Sequence, residues 1–211
     1  MPVTYYMEDR FSPAFEHFLA HYDQLEAAPD PATSRNVWII KPGENSNCGY
    51  GITVHSSRTE ILEELRRRFN EGRNSVIVQK YLENCFLIYG RKFDIRCYLL
   101  VTTVNGHLKG YWYNDGYIRT CSEAYDLSDT ANVMVHLTNN SVQKNGASFG
   151  KYEDFNKMTF ESFEKYLGKQ GHPAHLWSQA YEQMKLIAHY MVAAVSPKIR
   201  RKQYTFEVPL P

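Results

Sequence analysis

Phe93 to Val104 reads as one long apolar strand, and Asn105-Gly106 closes it with the residue pair that a two-residue hairpin turn favours, because both central positions need positive φ. His107 to Tyr113 returns along it, and Asn114-Asp115-Gly116 turns the chain again. Antiparallel pairing is thus written into the middle of the chain, and a hydrophobic fraction of 43% with 14% aromatic and only 22% charged residues excludes a disordered chain or a coiled coil. Alternate strand residues share a face, so Phe93, Ile95, Cys97, Leu99 and Val101 are expected in a core while Lys92, Asp94 and Arg96 project opposite them. Tyr98 and Leu100 make that second face apolar further along. Such a row has two readings. One is an exposed strand with a cross-strand ion pair; the other is a cleft wall that handles phosphates and carboxylates, with Arg as a planar bidentate donor and Lys as a point charge.

The flanking segments mix helix and strand. Ser12-Pro13 opens a helix that carries Phe15, Phe18, Leu19 and Tyr22 at helical spacing until Pro29 and Pro31. Asn36 to Lys41 is β-rich, Pro42-Gly43 and the glycine-containing ENSNCGYG stretch form a loop, and Ile52 to Val54 resumes a strand. Ser57 and Glu60 have capping-box spacing before a helix on Ile61, Leu62, Leu65 and Phe69 that ends near Gly72, and Arg66-Arg67-Arg68 reads as its solvated, dipole-complementing end. Ser75 to Leu82 is an apolar strand. Thr159 caps a short helix, FESFEKYL. His175 to Val195 places Trp177, Ala180, Tyr181, Met184, Ile187, Ala188, Met191 and Val195 on one stripe, expected in the core, before Pro197. The fold class is mixed α/β (α+β) with largely antiparallel pairing.

A chain of 211 residues is long enough for one domain with a real core. Lys and Arg total 24 against 23 Asp and Glu, so the net charge of +1 gives no footprint for general nucleic-acid or membrane-surface binding, and an anion must be held locally. Cys48, Cys85, Cys97 and Cys121 form no CxxC pair and no zinc-ligand rhythm with the histidines, so free thiols and no structural metal are expected. The N-terminus has no apolar h-region and no stretch is a membrane span, which points to a cytosolic chain.

Further segments carry chemistry. Lys41 ends an apolar strand directly before the loop with Gly49 and Gly51, where a backbone can approach phosphate closely; a hairpin loop with a snorkelling Lys fits as well. Gln79-Lys80-Tyr81-Leu82 leaves a buried strand and can offer main-chain groups to a planar base, or simply end the strand. Arg119 follows a turn and a short strand. His136 to Ser141 gathers small hydrogen-bonding groups that suit a site or ordinary turn and capping chemistry.

Taken in order, WIIKPG, the GYGI loop, QKYLE, RKFDIRCYLL, YIRTCSEAY and HLTNNSVQK resemble the tubulin tyrosine ligase-like family of ATP-grasp ligases, over about residues 36 to 168 and more faintly to about residue 207. The resemblance implies an ATP-grasp-like fold with flanking helices and a long C-terminal helix. It also implies an ATP-dependent carboxylate–amine ligase that adds Glu, Gly or Tyr, with a lean to glutamylase type, to tubulin or another protein through an acyl phosphate. Implied with it are ATP and Mg²⁺, a free amino acid and tubulin or microtubules as partners, no nucleic acid or membrane, and a cytoplasmic location on cytoskeleton or cilium. By match of position, Lys41, Gln79, Lys80, Tyr81, Leu82, Lys92, Asp94, Thr138 and Asn139 are implied to bind ATP. Arg96 and Arg119 are implied to face the acyl phosphate or the incoming amino acid, with Ser141 and Lys144 as further amino-acid contacts.

Two departures stand out. Many relatives have Arg or Gln before the first loop glycine and a basic residue between the two, where this chain has Cys48 and Tyr50. The family also continues with FE[LIV]xGxD and ExN segments that hold Mg²⁺, and here Phe206-Glu207-Val208 matches the opening before Pro209-Leu210-Pro211. The implied organisation is an N-terminal helix and linker over 1–35, a partial ligase-like domain over 36–207 and a divergent tail over 208–211. Two functional readings follow: a ligase whose metal-holding segments are not among these residues, or a non-catalytic module that binds nucleotide or tubulin without turnover.

Overall fold

The computed structural model describes residues 2–27, 35–44, 46–72 and 75–199, together with the backbone of 204–207. Pro29, Pro31 and the segment from Val208 onward lie outside the described residues. The chain divides into two compact units, Met1–Phe93 with Thr120–Asn156, and Asp94–Arg119 with Lys157–Pro211.

The first unit is built on β1 (Thr4–Met7), α1 (Pro13–Glu26), β2 (Trp38–Pro42), β3 (Thr53–His55), α2 (Arg58–Asn70) and β4 (Val76–Lys80), followed later by the short helices α3 (Val133–His136) and α4 (Asn140–Gln143). Its sheet has the order β1-β4-β2-β3 and is antiparallel throughout, with Trp38 opposite both Lys80 and His55, and Thr4 opposite Gln79. Alternation sorts the strands into two faces. Trp38, Ile40, Val76, Val78 and Met7 pack with Phe18 and Tyr22 of α1 and Ile61 and Leu65 of α2, and the Phe18 ring meets Trp38 edge-on at 4.9 Å. Val37, Val54 and Tyr81 form a smaller core with Ile39, Tyr125 and Leu127.

Two expectations for α2 are corrected. Ser57 occupies the N-cap, but its side chain makes no cap bond; its carbonyl accepts the Ile61 N–H, and the Glu60 carboxylate lies toward His55 instead. The arginine run is not uniformly solvated either. Arg67 is exposed and pairs with Glu64 and Glu71, whereas Arg68 is 3% exposed and donates to Glu64 at 2.7 Å, to the Gly51 carbonyl at 2.6 Å and to Thr53. Burial alone would raise the Glu64 carboxyl, but Arg67 and Arg68 hold it down to about 2. A buried guanidinium thus clamps the far end of the glycine loop to the helix.

The second unit comprises β5 (Phe93–Arg96), β6 (Leu99–Val104), β7 (His107–Trp112), β8 (Tyr117–Thr120), β9 (Lys157–Thr159), α5 (Phe160–Lys169), α6 (Leu176–Val195) and β10 (Tyr204–Glu207); β5 and β8 run across the unit boundaries. Its strands form two sheets, β10-β6-β7 and β5-β8-β9. The single strand expected over Phe93–Val104 is therefore two. The chain leaves one sheet after Arg96 and enters another at Leu99, so the alternation restarts, and Phe93, Ile95, Cys97, Leu99 and Val101 are all only half-buried. The hairpin stands as expected: Asn105 and Gly106 have φ of 48° and 75°, and Val104 faces His107. Thr159 caps α5, its hydroxyl oxygen accepting the Ser162 N–H.

The stripe on α6 is core only in part. Trp177 and Tyr181 pack on Phe160, and the Trp112 indole donates to the Tyr181 hydroxyl at 2.8 Å, but no α6 residue is fully buried and Ile187 is 64% exposed, with Met191 and Val195 also exposed. A periodic stripe records which residues a helix groups together, and cover over the last turns is a separate matter. Among the described residues no helix is long and apolar enough to cross a membrane. All four cysteines are free thiols.

Candidate functional site

In the first unit Lys41 and Gln79 share one face of two antiparallel strands, Lys41 standing opposite Ile77 and Gln79 opposite Ile39. Lys41 and Gln79 come from these adjacent strands, and the Lys41 ammonium donates to the Gln79 amide oxygen at 2.8 Å. Burial lowers the Lys41 pKa. Lys80 turns the other way, donating to the Val37 carbonyl and pairing with Glu83. Burial alone would raise the Glu83 carboxyl, but Lys80 and the Val37 and Arg35 N–H groups together hold it below its ordinary value. The main-chain N–H groups of Lys80 and Tyr81 are already spent on the Val3 and Val37 carbonyls. A base docking along this segment must therefore use other main-chain groups, and Leu82, 61% exposed, offers an apolar side chain beside it.

Tyr81 is buried at the centre of a polar chain. The Lys92 ammonium donates to its hydroxyl at 2.6 Å and lies 4.1 Å from its ring centroid, and the same hydroxyl meets His136 Nδ1 at 2.9 Å. His136 Nε2 lies 2.9 Å from the Asp129 carbonyl, which makes it the donor there and leaves Nδ1 as acceptor for the Tyr81 O–H in the neutral ring. Burial pushes the Tyr81 hydroxyl up and the His136 imidazole down, so both are neutral near pH 7.

The glycine loop closes against the 138–141 segment. Gly49 has φ of +80°, and a Cβ there would stand 2.9 Å from Asn139 Oδ1, so both backbone and space require glycine. Ser141 Oγ donates to the Cys48 carbonyl at 2.5 Å. Thr138, Asn139 and Ser141 are half-buried, and Lys144 is exposed. Tyr50 at the loop tip is 77% exposed.

In the second unit Arg119 on β8 and Asp94 on β5 form a bidentate pair, with Nε and Nη2 donating at 2.8 and 2.6 Å. The pair raises the Arg119 pKa. Arg96 stacks over the Tyr98 ring at 5.4 Å, and its buried Nε has no hydrogen-bond partner among the described residues. The charged row of the sequence is thus divided. Lys92 belongs to the first unit and binds Tyr81, while Asp94 and Arg96 belong to the second.

Sequence reasoning missed the groups that hold these residues in place. Arg91, 3% exposed, pairs with Glu153, donates to Thr120 Oγ1 and the Cys121 carbonyl, and lies 4.4 Å from the Tyr152 ring centroid. Thr120 Oγ1 also donates to Glu153, and Asn156 donates to the Thr120 carbonyl. Gln143, within the HLTNNSVQK motif, accepts the Ser122 N–H and donates to the Met134 and Leu137 carbonyls. Arg91 and Gln143 stand inside quoted motifs, yet only their burial reveals the role.

The described residues do not fit the Mg²⁺ that the resemblance implies. No three His, Cys, Asp or Glu side chains among them come together as a metal-holding group, and the Asp94 carboxylate is already engaged by Arg119.

Residues 4–208 match the Tubulin-tyrosine ligase family. Tubulin glycylase 3B of Drosophila melanogaster is 35% identical over 195 residues, covering 89% of this chain and 25% of the relative. Protein monoglycylase TTLL8 of Homo sapiens is 36% identical over 180 residues, covering 82% of this chain and 21% of the relative. Probable tubulin polyglutamylase TTLL2 of Homo sapiens is 33% identical over 171 residues, covering 79% of this chain and 26% of the relative. The chain therefore spans about a quarter of the length of these relatives. Two of these three relatives carry glycylase names and one a polyglutamylase name. With a match across 4–208 that takes in both units, this chain belongs to the tubulin-tyrosine ligase family.

Proposed function

We propose that this chain contributes the nucleotide and acyl-phosphate surfaces of an ATP-dependent ligase that joins a free amino acid, glycine ahead of glutamate or tyrosine, to a carboxylate of tubulin or another protein. In the first step a carboxylate oxygen attacks the γ-phosphorus of ATP and ADP leaves. In the second the donor amine attacks the acyl carbon, phosphate leaves with the bonding pair, and the nitrogen loses a proton. Both transition states carry negative charge on oxygens, which placed cations stabilise.

The observation that carries this reading is Lys41, desolvated at a strand end beside a loop whose Gly49 backbone closes on Asn139. In it Lys41 and Lys92 meet phosphate oxygens, Gln79 to Leu82 border the adenine, and Asp94, Thr138 and Asn139 lie by the ribose and phosphates. Arg96 and Arg119 face the acyl phosphate or the donor carboxylate, and Ser141 and Lys144 contact the donor. ATP is a co-substrate here. The acceptor places such an enzyme on cytoplasmic or ciliary microtubules.

Equilibrium binding of a fluorescent ATP analogue tests the nucleotide half. Lys41→Ala is expected to weaken binding by about tenfold, with Lys41→Arg restoring part of it, since a single phosphate contact is a charge-assisted bond. Unchanged affinity in Lys41→Ala would remove Lys41 from the nucleotide site.

A further inference from the structure

The arginine run of α2 has three separate fates. Arg67 is neutralised by Glu64 and Glu71, Arg68 is buried against Glu64 and Gly51, and Arg66 is exposed with no ion pair among the described residues. Arg66 falls on the α2 seam Leu62, Leu65, Arg66 and Phe69, which recur at helical spacing, and this seam lines a groove of about 280 Å³ with Phe15 of α1 and Arg10 and Phe11 of the turn before it. Phe11 is 78% exposed, with the Arg10 guanidinium 4.9 Å from its ring centroid. Arg10 makes no ion pair among the described residues either, and the neighbouring Asp9 carboxylate accepts the Phe11 N–H.

An apolar slot with an exposed aromatic at its mouth and an unpaired guanidinium on each helix side has the composition of a recognition surface, in which aromatic and Arg side chains dominate. We propose that the α1–α2 groove docks an acidic peptide segment of a partner protein, one that places a single apolar side chain in the slot between Phe11, Phe15 and Phe69 while flanking carboxylates meet Arg10 and Arg66. Charge complementarity selects this occupant. Among the described residues neither arginine is in an ion pair, so a basic or neutral segment leaves them unanswered, whereas carboxylates form planar bidentate pairs with them. This surface goes beyond the ligase reading and depends on no residue assigned to it.

The test is fluorescence polarisation with a labelled peptide of glutamates around one phenylalanine, titrated with the intact chain at low salt and without nucleotide. Binding is expected to weaken by about tenfold in the Arg10→Glu, Arg66→Glu double variant and comparably in Phe11→Ala, and to be unchanged in Lys109→Glu, a charge reversal on exposed β7. All four positions are exposed, and far-UV circular dichroism confirms that each variant is folded. Equal binding of a lysine-flanked peptide, indifference to the double reversal, absence of peptide binding, or binding only to vesicles of anionic lipid would each overturn the proposal. Nucleotide affinity measured on the same variants separates the two readings, because loss of the groove leaves it unchanged.

Discussion

Replacing Arg119 with alanine is expected to lower kcat/KM for amino-acid ligation by about 10² to 10³, the usual consequence of losing one preorganised charged donor from an acyl-transfer site. Two of its nitrogens are fixed by Asp94, which orients the planar fork. Arg119→Lys should recover little, because an ammonium cannot hold Asp94 bidentately and reach a second oxygen at once. Asp94→Asn keeps the cation but loosens its orientation, so its loss should be smaller. Stability should fall only modestly in Arg119→Ala, since the Asp94 side chain it leaves behind is 35% exposed and can be hydrated. Steady-state kinetics on the intact protein, paired with urea unfolding, separates the two effects. Full activity in Arg119→Ala would exclude it from the reaction centre.

Arg91→Ala is expected to cost about 3–5 kcal/mol of stability, the range for removing one member of a buried ion pair. The Arg91 and Glu153 side chains are 4% and 10% exposed, so truncating the cation strands a buried carboxylate that keeps the Thr120 hydroxyl as its donor among the described residues. It also strips donors from Thr120 Oγ1 and the Cys121 carbonyl and leaves a void under Tyr152. The double variant Arg91→Met, Glu153→Leu should regain most of the loss, because the cost lies in the unpaired charge and not in the absence of a pair. A loss below about 1 kcal/mol in Arg91→Ala by chemical denaturation would mean that water reaches the pair, at odds with its burial.

Local chemistry was legible where it acts over a few residues. The WIIKP strand, the Asn105-Gly106 hairpin, the Thr159 cap and the extent of the long helix all follow from propensity, turn geometry and periodicity, and the structure has them. The four-residue β1 was missed because its pairing with β4 spans more than seventy residues, as Thr4 opposite Gln79 shows. The break between Arg96 and Leu99 was hidden for a similar reason: both halves favour strand, and only their different partners, β8 and β7, part them. Ser57 and Glu60 have the spacing of a capping box, yet Glu60 turns toward His55 instead, a tertiary choice that spacing does not encode. Arg68 likewise reads as solvated until the Gly51 carbonyl and Glu64 are brought beside it. At the site, residue types were legible from the motifs, whereas their partners were not: Lys92 on Tyr81 and Arg119 on Asp94 are contacts of the folded chain.

The most direct measurement offers the intact protein tubulin, ATP and equal concentrations of labelled glycine, glutamate and tyrosine, and identifies which label becomes acid-stable on tubulin. The account predicts ATP-dependent incorporation of glycine, abolished when ATP is omitted. Incorporation of glutamate or tyrosine in its place, or nucleotide binding with no label transferred, would contradict it.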